Sequence, residues 1–251
     1  YFCPMSDFRY TRPDGFPPIV KNLIIINVLV YLAQILLANQ FAITERFMLW
    51  PLMPDKLHDL LVQSGALDAS QQFQPYQIVT HMFSHAPPPM LFHILFNMFT
   101  LWMFGRVLEN VWGGKRFLFF YLACGLGAAA LHLGMQYFRC EQLLQAFNEN
   151  DIEAVKSHLG AAAPALGASG AVMGVMMAFA YLFPNTELYI MFIPFPVKAK
   201  WAMLGLAAID LFGGVARISG DNIAHFAHLG GAVTGFFIVL YWNKTNRRSL
   251  Y

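Results

Sequence analysis

Charge is what this sequence has least of. Asp, Glu, Lys and Arg make up 12% of its 251 residues, about half the share of an ordinary soluble domain. With 57% hydrophobic residues and a positive mean hydropathy, that scarcity excludes a conventional water-facing globule and points to a chain solvated by lipid. The net charge of +2 is small and scattered, so no nucleic-acid partner is expected. Cysteine is scarce too. Cys3, Cys124 and Cys140 show neither disulfide nor metal-ligand spacing, and Cys124 reads as buried packing. Long repeats and low-complexity tracts are absent. Tyr1 to Pro18 is polar and Pro-rich without a signal-peptide layout, and a start other than Met is expected of a processed or trimmed chain.

What the chain does have is long apolar runs. A membrane span needs about 20 such residues, and six runs qualify: 21–43, 90–110, 115–138, 167–184, 199–217 and 222–243. The expected fold is an all-α, polytopic six-helix membrane bundle. Its organisation would be a short cytoplasmic segment 1–20, a membrane core 21–243 and a basic cytoplasmic tail 244–251. Outer loops would cover 44–89, between helices one and two, and 139–166, between helices three and four. The linker Thr44–Ser84, with Trp50-Pro51-Leu52, is too apolar for a disordered loop and is expected to lie in the membrane interface or dip into it. With the N-terminus inside, eleven of the sixteen Lys and Arg fall in inside segments, as the positive-inside bias requires. Both termini are then cytoplasmic, and helices two, four and six run from outside to inside.

Strongly polar groups are expensive within lipid and mark sites. His93 lies near the start of helix two, Ser169 near the start of helix four and His228 in the second turn of helix six. At about 1.5 Å per residue each sits within roughly 10 Å of its helix start, at one shared depth. A serine is a weak nucleophile until a base takes its proton, and His228 is the candidate base. His93 and Asn97, spaced i, i+4, share one face and can donate to an oxyanion, joined by backbone N–H groups at the start of helix four. Gly170 and Gly174 on helix four, and Gly231 and Gly235 on helix six, form small-xxx-small faces that allow close approach. Asp210 is placed at the wrong depth and Asp221 too far upstream to orient His228, so a dyad is expected.

Gly167-Ala168-Ser169-Gly170, His93-Ile94-Leu95-Phe96-Asn97 and Ala227-His228-Leu229-Gly230-Gly231 together resemble the rhomboid family of intramembrane serine proteases, in the family's order and over about residues 20–243. The resemblance implies Ser169 as nucleophile and His228 as general base. It also implies an oxyanion hole from His93, Asn97 and backbone N–H groups including that of Ser169. It implies cleavage of single-span membrane proteins near the outer face, without metal or cofactor. The expected topology, read apart from the resemblance, places the chain in the lipid bilayer of a plasma or bacterial inner membrane with the site facing outward. Three departures stand out: Pro75-Tyr76-Gln77 where members often carry Trp-Arg, Pro87-Pro88-Pro89 as an apparent insertion within Ala86–Met90, and a long stretch Arg139–Leu166. None is expected to touch the catalytic groups.

Other readings compete. His225, one turn before His228, is the alternative base, but only His228 satisfies Ala-His-x-Gly-Gly, and His225 reads as an outer-rim group. His81, His85, His93, His225 and His228 raise a metal reading, which lacks any His-Glu-x-x-His. His81 and His85 read as interfacial or structural, His132 as hydrogen-bonded within the bundle, and Glu109 with Arg106 as an i, i+3 pair. A catalytically silent rhomboid-like protein that binds membrane clients is the alternative function. Such relatives usually lack the serine or the histidine, and both are here. A transporter would show repeats and broken helices at the midplane. An aspartyl protease would need a second aspartate at depth.

Overall fold

The computed structural model describes residues 16–190, 194–216 and 224–245. Cys3, Arg9, Arg12, Arg217, Asp221, Arg247 and Arg248, and with them most of the expected N-terminal segment and basic tail, lie outside the described residues. Six helices organise the described residues: α1 (Pro18–Leu36), α2 (Leu91–Trp112), α3 (Gly114–Glu149), α4 (Ser169–Leu182), α5 (Ala199–Ala216) and α6 (His225–Thr245). Among the described residues α1, α2, α3 and α6 are long and apolar enough to cross a membrane, and α4 is a shorter apolar helix.

The outside of the bundle is apolar. On α1, Ile25, Ile26, Leu29 and Leu32 are exposed, while Val20, Leu23, Asn27, Tyr31 and Gln34, three or four residues apart, face inward. In lipid, burying an aliphatic side chain gains little, so close packing and polar contacts hold helices together. Glu109 illustrates the second kind. Its two carboxylate oxygens accept the Ile19 and Val20 N–H groups at 2.9 and 2.8 Å, satisfying free donors at the positive end of α1. The expected pair with Arg106 gives way to this cap, and the Arg106 guanidinium lies over the Trp102 ring instead.

α4 is the central helix, buried from Gly170 to Val175 and again from Ala178 to Ala180. α3 departs most from expectation. Instead of ending near residue 138 it runs 36 residues to Glu149, about 54 Å, well beyond one span. Its last turns remain helical because Cys140 and Leu143 pack with Leu57, Leu61, Ala161 and Ala162 in a small second core. The stretch expected as a loop after Arg139 is therefore the end of α3 followed by a helix, Ile152–His158, whose first turn is capped by Asp151. The linker after α1 also folds back: Leu49 and Trp50 are buried, and Gln77 accepts the Trp50 N–H at 3.3 Å.

Candidate active site

The site begins with the shortness of α4. Fourteen residues cover about 21 Å, less than the roughly 30 Å of a hydrocarbon core. The chain leading to Ser169 therefore descends into the bundle as irregular backbone, which is tolerated at depth only where protein satisfies its polar groups. Ala165 exchanges both hydrogen bonds with Leu49, at 2.9 and 2.7 Å, and the Gly167 N–H donates to the His81 carbonyl at 2.9 Å. Gly167 sits at φ +124°, a conformation that suits glycine.

Three side chains from three helices then line up. Ser169 Oγ is 2.9 Å from His228 Nε2, and His228 Nδ1 is 3.0 Å from Asp210 Oδ1. A carboxylate only accepts, so His228 Nδ1 carries the hydrogen, and Nε2 presents its lone pair to the serine hydroxyl. This corrects the expectation about Asp210: counted from the Ala216 end of α5, it lies six residues in, about 9 Å, level with the histidine. Depth depends on which end of each helix is used, and α5 brings its C-terminal end to this side.

Glycine sets the spacing. A Cβ on Gly231 would fall onto the Gly170 carbonyl, one on Gly235 would lie 2.8 Å from the Gly174 oxygen, and one on Gly174 would lie 2.9 Å from the Gly231 oxygen. The two predicted glycine pairs thus meet backbone to backbone between α4 and α6. α3 joins them through a contact the sequence reading missed: a Cβ on Gly230 would lie 2.7 Å from the Gly127 oxygen.

His93 stands on the other side of the serine. The Ala86 N–H donates to its Nδ1 at 3.1 Å, so in the neutral ring Nε2 bears the hydrogen. A Cβ on Gly167 would lie 2.9 Å from Nε2 and Cε1 of His93 and 3.6 Å from Ser169 Oγ. Glycine at 167 therefore lets the His93 ring lie close against the backbone beside the serine oxygen. Asn97 is buried one turn on and donates from Nδ2 to the His93 carbonyl at 2.8 Å, which leaves one amide hydrogen for other use. Ala86, in the segment expected to touch none of these groups, holds the His93 ring directly.

The loop that supplies Ala86 is itself clamped, a feature the sequence reading missed. Gln34 of α1 accepts the His85 N–H at 2.9 Å through Oε1, and its Nε2 lies 3.0 Å from the His85 carbonyl and 2.9 Å from Ser84 Oγ. The buried His85 ring donates from Nε2 to Asn27 Oδ1 at 2.9 Å and stacks edge-on to His93, 5.3 Å between centroids. Burial pushes the pKa of His85 down to about 3, so the ring stays neutral. His81, also buried, donates from Nδ1 to the Gln77 carbonyl. Both histidines are structural pins. The signal was two amides, Asn27 and Gln34, seven residues apart on one face of an apolar helix.

His225 is buried rather than at a rim, and its Nδ1 lies 2.8 Å from the same Asp210 oxygen. The ring that faces Ser169 Oγ is that of His228. His132 Nε2 is buried without a hydrogen-bond partner. Among the described residues no group of three His, Cys, Asp or Glu side chains is placed to hold a metal ion.

A serine hydroxyl, an imidazole and a carboxylate in line, below one end of an apolar helical bundle, define an integral membrane protein with a polar site held among its helices. A family model described as the Rhomboid domain matches residues 72–244, and the chain belongs to the rhomboid family. It is similar to the presenilin-associated rhomboid-like proteins, mitochondrial, of Homo sapiens (32% identical over 156 residues, 61% of this chain and 35% of that protein) and Rattus norvegicus (28% over 199 residues, 79% and 46%). Rhomboid protein 1, mitochondrial, of Saccharomyces cerevisiae is 29% identical over 167 residues, 66% of this chain and 42% of that protein. The chain spans less than half the length of these relatives.

Proposed function

We propose that this chain is an intramembrane serine endopeptidase. The observation that carries the reading is the 2.9 Å contact between Ser169 Oγ and His228 Nε2, with Asp210 on the far nitrogen of the ring. In the proposed reaction Ser169 Oγ attacks the scissile carbonyl carbon as His228 Nε2 takes its proton. The oxyanion is stabilised by His93 Nε2–H, the N–H groups at the start of α4 and, after a small rotation, Asn97. Collapse expels the amine, which receives the proton from His228. Water then attacks the acyl-serine with His228 again as base, releasing the acid and restoring Ser169. Asp210 keeps the imidazole in the right tautomer and stabilises the imidazolium.

Single-span membrane proteins are the proposed substrates, cut near the membrane face at which α4 begins. The bias of Lys and Arg supports placing that face outward, with both termini cytoplasmic, in a plasma or bacterial inner membrane. The names of the relatives put the mitochondrion forward as the competing compartment.

An alkyl fluorophosphonate tests the chemistry without a known substrate. The reading expects an adduct on Ser169 of the detergent-purified protein, located by mass spectrometry, and its loss in Ser169→Ala and His228→Ala. Failure of the wild type to react with probes of several shapes would instead favour a client-binding protein that does not cut. Adduct formation that survives loss of His228 and disappears with His225 would move the base to His225.

A further inference from the structure

Asp210 Oδ1 receives two imidazoles. His228 Nδ1 is 3.0 Å away and His225 Nδ1 is 2.8 Å away, from residues three apart and therefore on one face of α6. The side chains of Asp210 and His225 are 8% and 9% exposed, so little water competes for the carboxylate. The far side of the His225 ring is closed by α5 itself: a Cβ at Gly213, one turn after Asp210, would collide with the ring, and one at Gly214 would lie 3.4 Å from His225 Cβ. Arg139 of α3 donates to the Gly214 carbonyl and lies over the Phe226 ring at 5.0 Å, so the C-terminal end of α5 is fastened at the same level. His225 is wedged between the carboxylate it donates to and a backbone surface kept bare by Gly213.

We propose that His225 is a positioning residue for the general base, acting through Asp210. The proposal rests on the reading of Ser169 and His228 as nucleophile and base. An aspartate has two free torsions, and one hydrogen bond to His228 leaves its carboxylate free to turn. A second N–H on the same oxygen fixes the carboxylate. The fixed carboxylate then selects the Nδ1–H tautomer of His228 and aims Nε2 at Ser169. His225 touches neither the hydroxyl nor the space for a scissile bond. Its effect belongs on the rate of bond formation and not on binding.

The test uses the full chain in detergent with an alkyl fluorophosphonate as probe, separating the maximal inactivation rate from the concentration for half-maximal rate. His225→Ala is expected to slow the maximal rate about ten- to hundredfold, the range for losing a hydrogen bond to a charged group, with the half-maximal concentration unchanged. His225→Asn, whose amide can place an N–H where Nδ1–H stood, is expected to recover most of the rate. Gly213→Ala should mimic His225→Ala, and the double variant should lose little more, because both act through one contact. Spectra of 15N-labelled imidazoles read the same inference without catalysis. His228 should hold the Nδ1–H tautomer in wild type and His225→Asn, and a mixture in His225→Ala. An unchanged rate and tautomer in His225→Ala would overturn the proposal, as would a loss that His225→Asn fails to recover. A wild type inert to the probe would defeat the protease reading alone, and the imidazole spectra would still decide the role of His225.

Discussion

Asp210 Oδ1 approaches His228 from the side of the ring opposite Ser169, 3.0 Å from Nδ1. The carboxylate is on α5, the imidazole on α6 and the hydroxyl on α4, so the line exists only when three helices are in register. A dyad would need only two.

Asp210→Asn preserves shape but allows an NH2 group to face the ring, which favours the tautomer with Nδ1 unprotonated. In soluble serine proteases the equivalent exchange slows catalysis about 10⁴-fold with the geometry intact. Here fluorophosphonate labelling of Ser169 is expected to slow by about 10²- to 10⁴-fold, with little change in Tm. An unaltered labelling rate would show that His228 works without a carboxylate.

Gly231→Ala places a methyl group on the Gly170 carbonyl. Backbone cannot step aside as a side chain can, so α4 and α6 must separate, and Ser169 moves away from His228. A destabilisation of about 1–3 kcal/mol or more is expected, with loss of labelling. Gly134→Ala is the control: its Cβ would meet nothing within 4 Å, and helix propensity favours alanine by about 1 kcal/mol. Thermal denaturation of the two variants side by side distinguishes close packing from a general intolerance of alanine in these helices.

Gln34→Ala strips the buried Ser84–His85 segment of its clamp, leaving the His85 N–H without its partner. About 1–3 kcal/mol of stability should be lost. Because Ala86 follows directly and holds His93, labelling should weaken too, although Gln34 lies on α1 and bonds to none of the reacting groups. Labelling at the wild-type rate in a destabilised Gln34→Ala protein would show that the His93 ring is held by other means.

Acid should act through His85. Its ordinary pKa of 6.5 is pushed by burial to about 3. Above pH 6.5 the ring is neutral both folded and unfolded, and there is no effect. Below it the unfolded chain takes up a proton that the folded protein refuses, so stability falls progressively from about pH 6.5 toward 3. His85→Gln keeps a donor for Asn27 and cannot titrate. Melting curves at pH 7, 5 and 4 should show a steeper decline for wild type than for this variant, and parallel declines would assign the acid sensitivity elsewhere.

The helices and the glycine faces were legible in the sequence because their signals are local. Apolar runs and i, i+4 spacings are set within one element, and Ser169, His93 and His228 follow once helix starts are placed. Asp210 was not legible: its partners sit on another helix, and averaging over an apolar run gives no register between helices. The length of α3 was hidden for a different reason. Arg139 and Glu141 look like the end of a span, whereas Cys140 and Leu143 continue a helical face that only the fold of residues 53–67 reveals as buried. The pins at Asn27 and Gln34 were lost among the aliphatic residues around them.

The contact of α4 with α6 through bare glycine backbone has a consequence for measurements in different lipids. Side-chain packing loosens and tightens as bilayer thickness and fluidity change, but carbonyl oxygens resting on Cα atoms have almost no slack. The spacing of the α4 and α6 backbones beside Ser169 and His228 is therefore held by direct contact. A dependence of the rate on lipid composition should accordingly reflect how substrates and water arrive, with the chemical step itself unaltered.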